Sequence, residues 1–352
     1  MVAELKIKRT ENSKLSSVDF NNLPFGKVFS DHLFQMDYND GKWQEPQIIP
    51  YQDMSISPAC SALHYGQSIF EGLKAERGPN GEILVFRPDQ NFIRLNNSAE
   101  RMGIPTIPVE DSLFYMKTLI ELEQQWIPQT EGASLYIRPL LFGNDDFIGV
   151  RAAESYRYLI MVGPAGPYYA KPVNVYIEDF YVRAAKGGIG EAKTAGNYAA
   201  SLKPMQEAAA KGFDQILWTD AKEHKYVQEA GTMNAFFIID GVVITPNLDG
   251  TILPGITRNS FIQLFKDAGY TVEERQLSVD EIIDASERGI LNDAFGAGTA
   301  AVLIPFASLS TKDKKIELPP LESRTISKNM KERFVNIKKG LATDKYNWLY
   351  KI

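Results

Sequence analysis

The sequence predicts a protein of mixed α and β structure that folds as two domains. Its 352 residues exceed what one hydrophobic core usually supports. In both halves, short apolar runs typical of strands alternate with longer runs of helical periodicity. A stretch dense in Gly and Pro lies near the middle of the chain. We therefore expect a small N-terminal α/β domain at 1–165, a linker at 166–175 and a larger C-terminal α/β domain at 176–352.

Turn signals and helical periodicity place the elements of the first half. Asn39-Asp40-Gly41 and Pro79-Asn80-Gly81 each separate two apolar runs and predict β-hairpins. A helix with Asp89 as its N-cap is expected to end at Gly103, because apolar residues recur there at helical spacing. The polar residues 1–20 are expected to form a loosely held arm.

The second half carries the same kinds of signal. A strand at 173–177 and a Gly-rich loop at 187–196 are predicted, and Asp240-Gly241 indicates a further hairpin. Ser278 and Glu281 have the spacing of a capping box, which marks the start of a helix. Helices are expected at 111–125, 197–211, 257–268, 278–288 and 322–340.

Composition and charge exclude several classes of function. The net charge of −6 gives no support to nucleic-acid binding, which calls for a basic surface. Cys60 is the only cysteine and only three histidines are present, so neither an intrachain disulfide nor a metal site is expected. No apolar run reaches the length of a membrane span, and the N-terminal residues lack the apolar core of a signal peptide. We expect a cytoplasmic protein that binds neither membranes nor metals.

Lys193 is the first residue that could carry chemistry. A single lysine is most often a surface charge, but this one has small chain neighbours in a Gly-rich loop, and Tyr198 follows closely. The loop falls between a predicted strand and a predicted helix, where α/β proteins place ligands. A lysine that loses its proton can be trapped as an imine by a carbonyl cofactor.

Glu229 is a carboxylate within a predicted strand of apolar neighbours, where burial without a partner would be costly. It either pairs with an arginine or holds a pyridine nitrogen protonated in a cofactor. Arg94, on the helix that follows Asp89, is either solvated or a partner for phosphate. For each of these two residues, the sequence alone leaves both roles open.

Two Gly-containing segments are candidate anion sites at helix N-termini. Leu253–Thr257 introduces the predicted helix 257–268, and Phe295–Ala301 precedes an apolar run. Free backbone N–H groups and the helix dipole favour a phosphate at such positions. Neither segment has the Gly-Lys-Ser/Thr ending of a P-loop.

Taken together, seven ordered segments resemble the branched-chain amino-acid aminotransferases of fold type IV, which use pyridoxal 5'-phosphate. The similarity extends from Phe25 to about Pro305. The segments are FGKVFSDH, LHYGQSIFEGLKA, LYIRPLLFGN, GGIGEAKTAGNYAAS, QEAGTMN, LPGITR and GAGTAAV. The resemblance implies a two-domain fold with the cofactor at the domain interface, and a homodimer with a shared active site.

The resemblance also implies a role for individual residues. Lys193 would be the Schiff-base lysine and would move a proton between the substrate Cα and the cofactor C4′. Tyr198 would bind the phenolic oxygen of the cofactor, and Glu229 its pyridine nitrogen. The phosphate would be held by Arg94, by the backbone of Ile256 and Thr257, and by Thr299.

The substrates implied are leucine, isoleucine, valine, glutamate and their 2-oxo acids. Tyr136 and Arg138 would allow one pocket to accept either an aliphatic side chain or the carboxylate of glutamate. The backbone around Thr299 and Ala300 would bind the substrate α-carboxylate, and Thr232 would line the pocket. Its apolar wall would be formed by Phe25, Tyr65, Phe70, Tyr136 and Tyr168, with part of the pocket donated by a neighbouring subunit.

Two other readings are open. A D-amino-acid aminotransferase or an aminodeoxychorismate lyase would share the lysine and the glutamate. The long N-terminal section and the stretch from Tyr136 to Pro139 favour the branched-chain reading. A non-catalytic protein that binds a phosphate ligand is expected to have lost Lys193 or Glu229, and both are present.

Overall fold

A computed structural model describes residues 4–169 and 171–352 of the chain. Contacts between Cα atoms divide these residues into two units. The first unit comprises the described part of Met1–Pro167, Ala192–Ala195 and Ile337–Ile352. The second comprises the described part of Tyr168–Glu191 and Gly196–Asn336.

The first unit is built on one large sheet. In it β1 is Lys6–Ile7, β2 His32–Asn39, β3 Lys42–Trp43, β4 Gln47–Pro50, β5 Ser68–Phe70, β6 Leu73–Arg77, β7 Ile83–Phe86, β8 Ser134–Gly143 and β9 Tyr156–Ala165. The strands lie in the order β1-β4-β2-β9-β8-β6-β7, with β3 beside β2 and β5 beside β8. The helices are α1 Ser61–Tyr65, α2 Pro88–Arg101 and α3 Val109–Leu122. Phe34 and Val85 from the strands pack in one core with Phe92 and Met116 from the helices.

The second unit contains another sheet and most of the later helices. Its strands are β10 Val173–Ile177, β11 Gln215–Thr219, β12 Val227–Ala230, β13 Met233–Ile239, β14 Val242–Thr245, β15 Val272–Glu274, β16 Leu291–Gly298, β17 Val302–Ser310 and β18 Lys315–Ile316. The order is β12-β11-β10-β17-β16-β13-β14-β15, with β18 beside β17. Because β12 also pairs with β13, the strands from β12 to β13 in this order close into a ring.

The helices that follow along the chain are α4 Ala195–Ala199, α5 Leu202–Ala210, α6 Ile256–Asp267, α7 Val279–Glu287 and α8 Thr325–Lys338. Within the part of the chain that the structure describes, no helix is both long and apolar enough to cross a membrane.

The C-terminus returns to the first unit. The last strand, β19 (Leu349–Lys351), pairs antiparallel with β7. Trp348 stacks on Tyr346, with ring centroids 4.1 Å apart, and also contacts Phe86. The first unit therefore includes C-terminal residues, unlike the expected division at 1–165, 166–175 and 176–352. The sequence does not predict this return, because a three-residue strand carries little periodic signal.

The predicted hairpin turns are confirmed, and so is the helix start that the capping-box spacing at Ser278 predicts, although the Glu281 carboxylate binds Arg275. Asp40 and Gly41 between β2 and β3 have positive φ angles of 52° and 75°, as do Asp240 and Gly241 between β13 and β14, at 49° and 76°. Such angles match the right-handed twist of two-residue hairpins. Ser278 is the N-cap of α7, and its side chain accepts a hydrogen bond from the backbone N of Glu281 at 3.1 Å.

Two helix predictions are wrong in detail. Helix α2 begins at Pro88, after Arg87 in a left-handed conformation, so Asp89 lies inside the first turn and is not the N-cap. Proline is favoured at this first position because its missing N–H has no partner there in any helix. The single helix expected at 197–211 is divided into α4 and α5, because Pro204 cannot donate the hydrogen bond of a continuous helix.

The expectation of a loosely held arm is also wrong for the described residues 4–20. Strand β1 pairs with β4, and the backbone N of Thr10 donates to Nε2 of His32 at 2.8 Å. The Asp31 carboxylate accepts hydrogen bonds from the Ser13 hydroxyl at 2.6 Å and from the backbone N of Lys14 at 2.8 Å. Residues 1–3 lie outside the described part of the chain.

Candidate active site

Lys193 lies on the short segment Ala192–Ala195 of the first unit. Its backbone N donates to the Ser98 hydroxyl on α2 at 2.9 Å, and its carbonyl accepts from the backbone N of Phe70 on β5 at 3.0 Å. The Thr194 hydroxyl donates to the carbonyl of Ser68 at 2.8 Å. The backbone of the lysine is thus fixed on both sides, and its Nζ lies 5.0 Å from the centroid of the Phe70 ring.

Arg94 is buried and paired, so a solvated role is excluded for it. Its Nε donates to Oε1 of Glu71 at 2.7 Å, and Nη2 donates to Oε2 at 2.9 Å. Burial opposes ionisation of Glu71, but Arg94, Lys193 and Asn91 outweigh it and lower the pKa of this carboxyl. We call Phe70, Glu71, Arg94, Ser98 and Lys193 the lysine cluster.

Next to Phe70 in the same unit, Tyr136 and Arg138 of β8 form an aromatic wall with a cation. The Arg138 guanidinium carbon lies 4.7 Å from the Phe70 ring centroid, and Nη2 donates to the Tyr136 hydroxyl at 3.0 Å. Phe25 meets the Tyr136 ring edge-on at 4.9 Å. Nε of Arg138 is buried and has no hydrogen-bond partner among the residues that the structure describes.

The absence of a side chain at Gly72 leaves room for the Tyr136 ring of this wall. A Cβ atom on Gly72 would lie 2.3 Å from the Tyr136 hydroxyl oxygen. Any larger residue at 72 would therefore displace the phenol that Arg138 holds. The glycine that follows Glu71 is explained by packing at the wall.

Two of the residues predicted for the apolar wall, Tyr65 and Tyr168, are partly exposed. Tyr65, at the end of α1, is 43% exposed. Tyr168 is 45% exposed, lies in the second unit and meets Tyr169 edge-on. Phe25, Phe70 and Tyr136 form the wall that is observed within the first unit, around Arg138.

Glu229 lines a pocket in the second unit. Its carboxylate is almost fully buried and lies 2.7 Å from Nε of Arg183 through Oε2. Oε1 accepts a hydrogen bond from Nδ2 of Asn234 at 3.2 Å. The residues that line the pocket are Arg183, Asn197, Tyr198, Ser201, Trp218, Glu229, Gly231, Thr232 and Leu253. Of the two alternatives for Glu229, the pairing with an arginine is observed, and the partner is Arg183. Tyr198 and Thr232 line the same pocket as the carboxylate.

The helix predicted after Leu253–Thr257 is present as α6, so this candidate anion segment does lie at a helix N-terminus. Gly255 is the N-cap and provides no side chain to cap the helix. The first N–H groups of any helix have no carbonyl partner within it, and here they belong to Ile256 and Thr257. Both residues are buried. This end of the helix has the electrostatic character of a phosphate site.

The second predicted anion site is not a helix N-terminus. Residues 295–298 are the end of β16, and Thr299, Ala300 and Ala301 form the turn into β17. The expectation failed because a Gly-rich turn precedes a strand as readily as a helix. The turn is followed by Val302 with a positive φ of 61°, which is a strained conformation for a β-branched residue.

Sequence reasoning missed two charged residues of these sites. Glu71 belongs to the segment FEGLKA, and Arg183 to the segment YVRAAKGG. Each pairs with a residue that was identified, Arg94 and Glu229 respectively. A buried carboxylate or guanidinium requires a partner of opposite charge, so the sequence could predict that such partners exist. It could not predict which residues they are, because that depends on the tertiary fold.

Comparison with known proteins places the chain in one family. Residues 68–307 match the model of the class IV aminotransferases (Amino-transferase class IV). A probable branched-chain-amino-acid aminotransferase of Staphylococcus epidermidis is 46% identical, over 99% of this chain and 98% of that protein. Branched-chain-amino-acid aminotransferase 2 of Bacillus subtilis is 47% identical, over 96% of this chain and 94% of that protein.

Solved structures agree with the sequence matches. The branched-chain amino acid aminotransferase of Escherichia coli has a TM-score of 0.74 at 26% identity, over 92% of this chain and 99% of that one. The PLP-form of the enzyme from Thermobaculum terrenum shares the fold, with a TM-score of 0.71 at 20% identity over the same shares. On the family match, the near-complete relatives and the shared fold, the chain belongs to the class IV aminotransferases and, within them, to the branched-chain-amino-acid aminotransferases.

Proposed function

We propose that this chain transfers amino groups reversibly between leucine, isoleucine or valine and 2-oxoglutarate, with pyridoxal 5'-phosphate carried on Lys193. Relatives named as branched-chain-amino-acid aminotransferases cover nearly the whole chain at 46–47% identity. The structural observation that carries the proposal is the position of Lys193. Its backbone is fixed by Ser98 and Phe70, while its amine extends over an aromatic face.

The donor groups of the chain fit this cofactor. Class IV aminotransferases use pyridoxal 5'-phosphate, which when bound supplies an aldehyde that condenses with amines and a ring that accepts electrons from Cα. The amine of Lys193 matches the aldehyde, and the buried carboxylate of Glu229 matches the pyridine nitrogen. Tyr198 supplies a hydroxyl for the phenolic oxygen. Arg94 and the N-terminus of α6 provide the cation and N–H groups that a phosphate requires.

Lys193 has two roles in this proposal. Its amine would hold the cofactor when no substrate is present. With the substrate amine in its place, the free Nζ would take a proton from the substrate Cα and deliver it to C4′. General acid–base catalysis of this kind typically contributes about 10²- to 10⁴-fold to the rate.

We assign the phosphate to Arg94, to the backbone N–H groups of Ile256 and Thr257, and to the hydroxyl of Thr299. Arg94 already has two nitrogens on Glu71, which fixes the plane of its guanidinium. A guanidinium held in this way needs little further ordering when an anion binds, and this lowers the entropy lost on binding.

Substrate selection is assigned to the aromatic wall and to the turn after β16. Phe25, Phe70 and Tyr136, with Tyr65 and Tyr168, would contact an aliphatic side chain. Arg138 would bind the side-chain carboxylate of glutamate through the buried Nε. Ala300 would bind the substrate α-carboxylate, and Thr232 would line the pocket. An apolar pocket separates substrates that differ by one methylene by only about 1–3 kcal/mol, so one enzyme is expected to accept all three branched-chain substrates.

The function is tested by transamination assays on matched lysine variants. Lys193→Ala is expected to lose activity with leucine and 2-oxoglutarate, by about 10²- to 10⁴-fold or more, because the proton-transferring amine is gone. Lys186→Ala is the control, since this lysine lies on the same loop and is exposed. Substantial turnover by Lys193→Ala, or a wild type that prefers D-alanine to leucine, would refute the assignment.

We also propose that the protein is a homodimer and that it works in the cytoplasm. Exposed apolar side chains in the first unit support the dimer. They are Met54, Leu63, Tyr65, Phe147, Ile148 and Val150. Exposed apolar surface is typical of protein interfaces, and a second copy of this chain would bury these side chains. The free, buried thiol of Cys60 is compatible with a reducing compartment, and cell fractionation tests the location.

A further inference from the structure

Arg183 is the charged partner of the carboxylate that faces the proposed cofactor ring. Its Nε lies 2.7 Å from Oε2 of Glu229, and both side chains are nearly excluded from solvent, with 6% and 3% of their areas exposed. A carboxylate that is buried among apolar residues is unfavourable unless a cation or hydrogen bonds compensate for the lost solvation. The guanidinium therefore favours the ionised form of Glu229.

The rest of the Arg183 guanidinium is fixed by backbone carbonyls. Nη1 donates to the carbonyl of Gly190 at 3.1 Å and to the carbonyl of Thr251 at 2.9 Å. These two backbone segments are in close contact, because a Cβ atom on Gly190 would lie 2.4 Å from the Thr251 oxygen. The arginine cannot turn away from Glu229 without losing both bonds.

The other oxygen of the carboxylate is oriented as well. Nδ2 of Asn234 donates to Oε1 of Glu229 and also to the carbonyl of Leu253 at 2.9 Å. Glu229 itself lies on β12, whose residues are all buried. Oε1 thus has a hydrogen-bond donor that is itself anchored to the backbone, and Oε2 has the ion pair with Arg183, so both partners restrict the orientation of the carboxylate before any ligand binds.

We propose that Arg183 is a positioning residue for the cofactor, which keeps the Glu229 carboxylate charged and correctly oriented for the pyridine nitrogen. This inference rests on the proposed function. Arg183 touches neither the reacting atoms nor the ring in this assignment and acts only through Glu229. A purely structural arginine would stabilise the loop at Gly190 and Thr251 equally well with or without that carboxylate.

The test is a double-mutant cycle read out as the dissociation constant for pyridoxal 5'-phosphate, measured by titrating the cofactor-free protein. Arg183→Gln is expected to weaken binding by about 10- to 100-fold, because Glu229 loses its buried cation. In a Glu229→Gln background the same change is expected to alter binding by about twofold or less, since its target is absent. Arg183→Lys retains the charge but not the fork that reaches Glu229 and both carbonyls, so it is expected to restore part of the affinity that Arg183→Gln loses.

Three results would overturn the proposal. They are wild-type affinity in Arg183→Gln, an equal loss in both backgrounds, and a failure of Arg183→Lys to restore binding. Arg288→Gln, an exposed arginine of the same unit, is the matched control. The double variant and Arg183→Lys leave no uncompensated buried charge, so they remain informative even if Arg183→Gln folds poorly. A wild type that does not bind the cofactor would refute the proposed function itself, which is a different outcome.

Discussion

At the scale of single residues, the site depends on charges that compensate one another inside each unit. Glu71 offsets Arg94 in the lysine cluster, and Arg183 offsets Glu229 in the pocket. Removing one member of such a buried pair typically costs about 3–5 kcal/mol, because the other charge is left without a partner. The residues that would contact the cofactor therefore depend on residues that would not.

Arg138 is expected to distinguish glutamate from leucine. Replacing it with alanine removes the guanidinium of the aromatic wall, and with it the buried Nε that has no partner among the described residues. We predict that kcat/KM for glutamate falls by about 10²-fold or more, while kcat/KM for leucine changes by about threefold or less. The measurement is a pair of steady-state assays, with Arg288→Ala as the control. Equal losses for both substrates would mean that Arg138 only supports the fold of the wall.

The residue scale also shows what the sequence could reveal. Lys193, Glu229 and Arg94 were predicted as site residues from local context and from the resemblance, and the structure shows each of them buried or half-buried. Their partners Glu71 and Arg183 could not be identified, because each is separated from its counterpart by a long stretch of chain. Such pairs arise from tertiary packing and leave no periodic signal in the sequence.

At the scale of elements, predictions succeeded where a local interaction determines the structure. The Asp-Gly pairs of two hairpins and the capping box of α7 depend only on neighbouring residues. The predictions failed where local signals are ambiguous. A Gly-rich segment such as 295–301 serves either a helix or a strand, and the fold alone made it the turn between β16 and β17.

The cap of α7 provides a test at this scale. Ser278→Ala is expected to lower the free energy of unfolding by about 0.5–2 kcal/mol, because the N–H of Glu281 loses its acceptor. Ser278→Thr keeps a hydroxyl at the N-cap and is expected to lose only a few tenths of a kcal/mol. Urea unfolding followed by circular dichroism measures both. A full loss in the threonine variant would indicate that packing, and not capping, stabilises this end of the helix.

At the scale of the whole molecule, the fold class could be predicted from the sequence, and the connectivity of its sheets only in part. Mixed α and β structure in two parts followed from length and from interleaved periodicities. The return of β19 to the sheet of the first unit could not be predicted, because strand pairing over such a distance depends on the assembled sheet. The pairing of β10 with β17, which completes the ring in the second unit, is of the same kind.

The exposed apolar side chains of the first unit predict that two copies of the chain form a dimer. Ile148 and Val150 lie in the loop between β8 and β9 and are 65% and 92% exposed. A double change of both residues to Asp is expected to convert a dimer to monomers, because charges would have to be buried at the interface. Sedimentation velocity measures the mass, and Leu341→Asp, also at an exposed apolar position, is the control. A wild type that is monomeric at micromolar concentration would contradict the dimer.

The central claim is that one amine, that of Lys193, forms a reversible imine with pyridoxal 5'-phosphate. Reducing the holoenzyme with borohydride, digesting it and sequencing the modified peptide by mass spectrometry tests this claim most directly. We predict that the reduced cofactor is found on the peptide containing Lys193 and that leucine added before reduction removes it. Modification of a different lysine, or a protein that carries no cofactor after incubation with it, would contradict the account.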